Sequence, residues 1–181
     1  MAIASCRRSL FYLDANDGRF CAMPKRSNME HQLQVLTDID KRELDAESAE
    51  ILLNSLSSRY HLVVARAAKI SAKQNWYEGV PHLVKAFEKM ARNGVKSDSG
   101  CIAKTEIIRA INHLNARECE LFAVGIRLKQ LEPIWGGKED RAANVRVASA
   151  FALAQQGCPQ AIVLIAELLA DKDIEARAGA A

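Results

Sequence analysis

The 181-residue chain is short of the residues that punctuate a polypeptide: it has nine glycines and four prolines. That scarcity excludes a collagen-like repeat and argues against an all-β protein, which needs a turn residue between each pair of short strands. Aromatics make up only 6%. No uninterrupted apolar run approaches the ~18–20 residues that a bilayer span requires, so no membrane association is expected. Neither C-x-x-C nor H-E-x-x-H occurs, and the four histidines (His31, His61, His82, His113) are scattered. The five cysteines (Cys6, Cys21, Cys101, Cys119, Cys158) are odd in number. A disulfide framework and a zinc site are therefore not expected. The cysteines read as buried free thiols, which places the protein in the reducing cytoplasm. There is no G-x-S-x-G. Gly136-Gly137-Lys138 lacks the upstream glycine and the following Ser or Thr of a phosphate loop. Glu118 and Glu120 lie two apart, on different faces of a helix. The reading is of a chain that is not an enzyme, with no catalytic residue, no metal and no cofactor.

What is present is a globular composition: 49% hydrophobic and 26% charged residues, with a mean hydropathy of −0.10. The net charge of +3 hides a banded distribution. Residues 1–28 carry five basic side chains against two acidic ones. Residues 29–58 hold seven acidic and two basic, residues 59–129 hold 13 basic and six acidic, and residues 130–181 hold seven acidic and five basic. A basic middle between acidic flanks has the sign that suits an anionic partner such as nucleic acid, though helices carrying solvated charges of both signs look the same.

Residues 1–28 show no helical period and read as a flexible, disordered basic arm, or as sequence upstream of a start at Met29. Residues 29–44 read as a lead-in helical segment. From residue 45 the chain becomes regular. Asp45 is a candidate N-cap, and Ala49, Leu52, Leu53 and Leu56 recur at one-face helical spacing. Leu62, Val63, Ala67 and Ile70 mark a second helix. Pro81, tolerated in a first turn, opens a third with Leu83, Val84, Phe87 and Met90, and Asn93-Gly94 closes it. Ser97-Asp98-Ser99-Gly100 starts a fourth carrying Ile107, Ala110, Ile111 and Leu114. Two further helix pairs follow, with a loop at residues 130–137 and no alternating strand pattern.

The helix–turn–helix order repeats. A small or apolar residue, then a base, then small residues recur, most clearly in Val145-Arg146-Val147-Ala148-Ser149-Ala150-Phe151-Ala152-Leu153 and Ala176-Arg177-Ala178-Gly179-Ala180-Ala181. The basic positions are Arg66, Lys104, Arg146 and Arg177. Together with Leu168-Leu169-Ala170-Asp171-Lys172-Asp173 before the last copy, this pattern resembles the HEAT and HEAT-like repeats of the armadillo-type α-solenoids. The resemblance implies an all-α fold of about four stacked hairpins over residues 45–181 (about 45–75, 77–116, 117–157 and an incomplete 158–181). It also implies a base that bonds turn aspartates such as Asp98, Asp140 and Asp173, stitching neighbours together. Second helices would line a concave side, where Arg66, Lys69, Lys73, Lys104 and Arg109 either meet phosphates or stay solvated.

The stretch Gln130-Leu131-Glu132-Pro133-Ile134-Trp135-Gly136-Gly137 is the least generic. Gln130, Glu132 and Trp135 are candidate partner contacts; alternatively Trp135 covers the neighbouring hairpin. The function expected is a non-enzymatic scaffold for another protein. The alternatives are nucleic-acid backbone binding through the basic repeats and, by resemblance, an accessory role like that of HEAT-like lyases. The oligomeric state is not encoded in any pattern found.

Overall fold

The structure is a computed structural model describing residues 11–13, 20–22 and 28–181. Most of the basic arm therefore lies outside the described residues. Within it, β1 (Phe11–Leu13) and β2 (Phe20–Ala22) pair antiparallel, Tyr12 opposite Cys21. The remaining described chain is helical apart from one hairpin. Helix α1 spans Asn28–Ile39, and four helical hairpins follow: α2 (Ala46–Leu56) with α3 (His61–Lys73), α4 (Val80–Asn93) with α5 (Ile102–His113), α6 (Cys119–Ile126) with α7 (Ala143–Gln155), and α8 (Ala161–Leu168) with α9 (Ile174–Ala180).

Their ends form where the local chemistry dictates. The Asp45 carboxylate accepts the Ser48 N–H at 2.7 Å, capping α2. Pro81 lies in the first turn of α4. Gly94, at φ +54°, takes the left-handed backbone that ends α4.

The packing is translational. One layer runs α1, α3, α5, α7, α9, each helix against the next; in the other, α2 packs on α4 and α6 on α8. No hairpin could bury its own stripe, but stacking makes one continuous core from Leu36 to Ala176. The second-helix layer is apolar around much of its circumference because it is flanked on several sides: α7 buries Ala143, Val145, Ala148, Ala150, Ala152 and Leu153. Small residues set the spacing. A Cβ on Gly125 of α6 would collide with Ser149 and Ile108, so α6 lies on α7 and α5 only because that side chain is absent. Buried Ser71 and Ser149 donate back to the carbonyls of Ala67 and Val145, which leaves no orphan hydroxyl in the layer.

Two expectations need correction. Residues 131–140 form a β-hairpin rather than a loop: β3 (Leu131–Ile134) pairs antiparallel with β4 (Gly137–Asp140). Pro133 does not break it. Ile134 opposite Gly137 closes the two-residue turn, and ladder pairs alternate between hydrogen-bonded and not. Pro133, opposite Lys138, therefore falls where the ladder needs no N–H.

The second correction concerns thiols. Cys119 and Cys158 form a disulfide, with Cα atoms 5.7 Å apart, joining the start of α6 to the turn before α8. They are 39 residues apart, about one repeat, so stacking brings them to the same edge of successive hairpins. Cys101 is free and buried, and desolvation pushes its thiol up to about 11. The inference of a reducing compartment from free thiols loses its footing. Among the described residues no helix is long and apolar enough to cross a membrane.

Candidate functional site

Two of the four bases of the ladder, Lys104 and Arg146, are internal to the fold. Lys104, on the first turn of α5, is fully buried. Its ammonium lies 3.1 Å from Asp98 in its own turn and donates to Gln130 Oε1 at 2.9 Å in the next hairpin. Asp98 also accepts the N–H groups of Ala103 and Lys104, capping α5. Arg146 repeats the device one hairpin later. It donates to Asp140 at 2.7 Å and to the Leu128 carbonyl at 3.0 Å, and reaches forward to Asp171 at 3.2 Å. Its Nε lies 3.1 Å from the second Asp171 oxygen at an angle that makes an ion pair but no hydrogen bond.

Arg177 departs from expectation. Its guanidinium does not pair with the Asp173 carboxylate but donates to the carbonyls of Asp171 and Lys172, while Asp173 caps α9 by accepting from Glu175 and Ala176 N–H. The residue equivalent to Asp98 and Asp140, each six places before its base, is Asp171. Arg66 differs again: Tyr60 stands at that place, and Arg66 reaches backward to Asp40 after α1, at 2.9 Å.

The other basic candidates are exposed but paired. Lys73 lies 2.7 Å from Asp40, and Lys69 and Arg109 lie 3.6 and 2.9 Å from Glu106. The Lys73 hydrogen bond holds Asp40 below the usual carboxylate range, helped by the charge of Arg66. Lys104, being buried, has no route to a phosphate. These five bases therefore do not form a bare cationic stripe.

The β3–β4 hairpin separates its candidates sharply. Gln130 is the hub that roots it. Its amide donates to the Asp98 carbonyl at 2.8 Å and to Glu132 at 2.7 Å, and its N–H donates to Asp140 at 2.9 Å. Glu132 accepts also from Ser99 Oγ and from Gly100 N–H at 2.7 Å. Burial alone would raise its pKa, but the Gln130, Gly100 and Ser99 donors outweigh that and lower it. Asp140 is likewise lowered, against desolvation, by the Gln130 and Ala142 N–H groups and Arg146. Gln130 and Glu132 thus face inward. Trp135, at the tip, is fully exposed and covers nothing. Gly136 beside it, at φ +90°, supplies the backbone that the turn demands. Leu131 and Ile134 are exposed at its flanks. The result is an aromatic ring on a short stem anchored to two repeats. Sequence reading missed the hub. The signal was there in register: Gln130 follows Lys104 by nearly the interval that separates Asp171 from Arg146.

Beside the hairpin runs a groove of about 810 Å³ along the N-terminal ends of α5, α7 and α9. Among the described residues no cluster of His, Cys, Asp and Glu is arranged to hold a metal ion. No curated protein and no solved structure matches the chain. Residues 145–171 match the family model of the PBS lyase HEAT-like repeat. That stretch runs from α7 through α8 to Asp171, the span over which Arg146 ties one hairpin to the next. The stacked helical hairpins are those of an all-α repeat fold, and the stretch similar to a HEAT-like repeat lies in the third and fourth of them.

Proposed function

We propose that this repeat scaffold works by holding another protein, with the β3–β4 hairpin as the contact. The observation that carries the reading is Trp135. A fully exposed indole on a stem fixed by buried Gln130 and Glu132 is a rigid aromatic anchor, and such anchors dominate the energetics of protein interfaces. Its support is already ordered, so little entropy is lost in presenting it. The basic repeats give less support to nucleic-acid binding, since Arg66, Lys69, Lys73 and Arg109 each have an acidic neighbour and Lys104 is buried.

The test is affinity capture with the full chain from nuclease-treated extract, comparing wild type with Trp135→Ala. Proteins retained by the first and lost from the second, with an unchanged circular-dichroism spectrum, are expected. If every partner survives the substitution, the contact lies elsewhere. Retention on heparin or duplex DNA that falls steeply with salt would favour the phosphate-binding alternative.

A further inference from the structure

Resting on that protein-binding reading, we propose that the groove beside the hairpin takes an extended cationic segment of the partner, one that also carries apolar side chains. Its apolar surface comes from separate elements. Ile102, the first residue of α5, is 43% exposed, and Ile174, the first of α9, is 71% exposed. Both line the groove, and each keeps apolar surface open to it.

The charge is one-sided. The groove is lined by Glu132, Glu139, Asp140, Asp173 and Glu175 against a single guanidinium, Arg141, and the imidazole of His61. Arg141 is spent on Glu139 at 2.7 Å, and Asp140 on Arg146. Glu132 is buried, its oxygens held by Gln130, Ser99 and Gly100 with the charge of Arg141 beside it, whereas Asp173 and Glu175 stand in no ion pair among the described residues. Asp173 and Glu175, two carboxylates without a cationic partner beside exposed isoleucines, complement a chain that alternates basic and apolar residues.

The same geometry argues against an anionic occupant. Helix N-termini ordinarily welcome anions. Here the leading N–H groups of α5 are taken by Asp98 and those of α9 by Asp173, while the Asp140 carboxylate stands at the start of α7, accepting from Ala142 N–H. The chain has used its own carboxylates where a phosphate would bind.

The experiment selects peptides from a random displayed library on the folded full chain, then measures their Kd by fluorescence polarisation for wild type, Glu175→Lys, Trp135→Ala and, as a charge-matched control on α4, Glu88→Lys. Glu175 is exposed and its side chain makes no hydrogen bond or ion pair in the fold, and an unchanged circular-dichroism spectrum of Glu175→Lys verifies that reversing its charge in the first turn of α9 leaves the structure intact. The expected result is peptides rich in Arg or Lys interleaved with apolar residues. Their affinity should fall at least tenfold with Glu175→Lys, fall with added salt, and be unmoved by Glu88→Lys. Recovery of no peptides, of acidic or uncharged ones, or of ones indifferent to Glu175→Lys overturns the proposal. Loss through Trp135→Ala with indifference to Glu175→Lys would leave the hairpin reading standing and remove the groove; the reverse pattern would keep the groove and remove the hairpin.

Discussion

The joint between the first hairpin and the helix before it differs from the two joints that follow, although all three use a base at the same place in the second helix. Arg66 and Asp40 are 37% and 22% exposed and meet by a single contact. Lys104 and Asp98 are wholly buried, and Arg146, 1% exposed, binds a turn on each side of it. The difference comes from what the turns supply. Where an Asp stands six residues before the base and an acceptor occupies the next turn, the base is drawn inward and closed over. Where Tyr60 stands instead, the base has only a neighbour behind it and stays at the surface. One sequence position thus fastens repeats in the middle of the stack and merely decorates it at the start.

The sharpest way to break this comparison is to remove the buried base. Lys104→Met keeps the length of the side chain and strands Asp98 in the core. The expected loss is about 3–5 kcal/mol, the usual cost of removing one partner from a buried pair. Arg66→Met should cost no more than about 1 kcal/mol, as exposed pairs do. Urea unfolding of the two variants measures both. Equal losses would show that burial makes no difference to the role of the base.

The next effect is the disulfide, which belongs to the tightly fastened end of the stack. Cys119–Cys158 closes a 39-residue separation, and cross-links of this kind stabilise by about 2–4 kcal/mol, chiefly by restricting the unfolded chain. Cys158→Ser should lower the unfolding midpoint in non-reducing buffer and leave it unchanged in excess dithiothreitol, where the wild type loses the same contribution. A midpoint that is the same for wild type with and without reductant would mean the bond does not form in solution.

Much of the stack is legible from residue order alone, because helical spacing of apolar residues and small residues around a recurring base are local signals. Leu52, Leu83, Ile107, Ile111 and Leu164 are all buried as their periodicity predicts. What lies beyond the sequence reading depends on register between repeats. Asp171 rather than Asp173 occupies the bridging place, because the constant is the six-residue offset to the base and not nearness to the helix start. The hairpin escapes a reading by alternation because each strand has four residues and Pro133 sits in one of them. The inward turn of Gln130 and Glu132 could not be seen, because their partners at Asp98, Ser99 and Gly100 lie about 32 residues earlier and meet them only after stacking. For the same reason, Cys119 and Cys158 look unrelated until one hairpin is laid on the next.

The smallest effect completes the comparison at its weak end. Asp40 is held by Lys73 and Arg66, and its pKa is lowered mainly by the Lys73 hydrogen bond. A carboxylate of this kind contributes stability that is full above its unfolded value, about 4, and is lost as pH falls through its lower folded value. Asp40→Asn should therefore cost roughly 0–1 kcal/mol at neutral pH, and the gap to wild type should close in acid. Thermal unfolding of both proteins from pH 7 to pH 3 reads that convergence. It should be shallow, because the two bases stay hydrated whether or not Asp40 is charged. A deficit that persists undiminished at pH 3 would mean the α1 joint depends on the shape of Asp40 and not on its charge, and the contrast with the closed joints at Lys104 and Arg146 would then have to rest on packing alone.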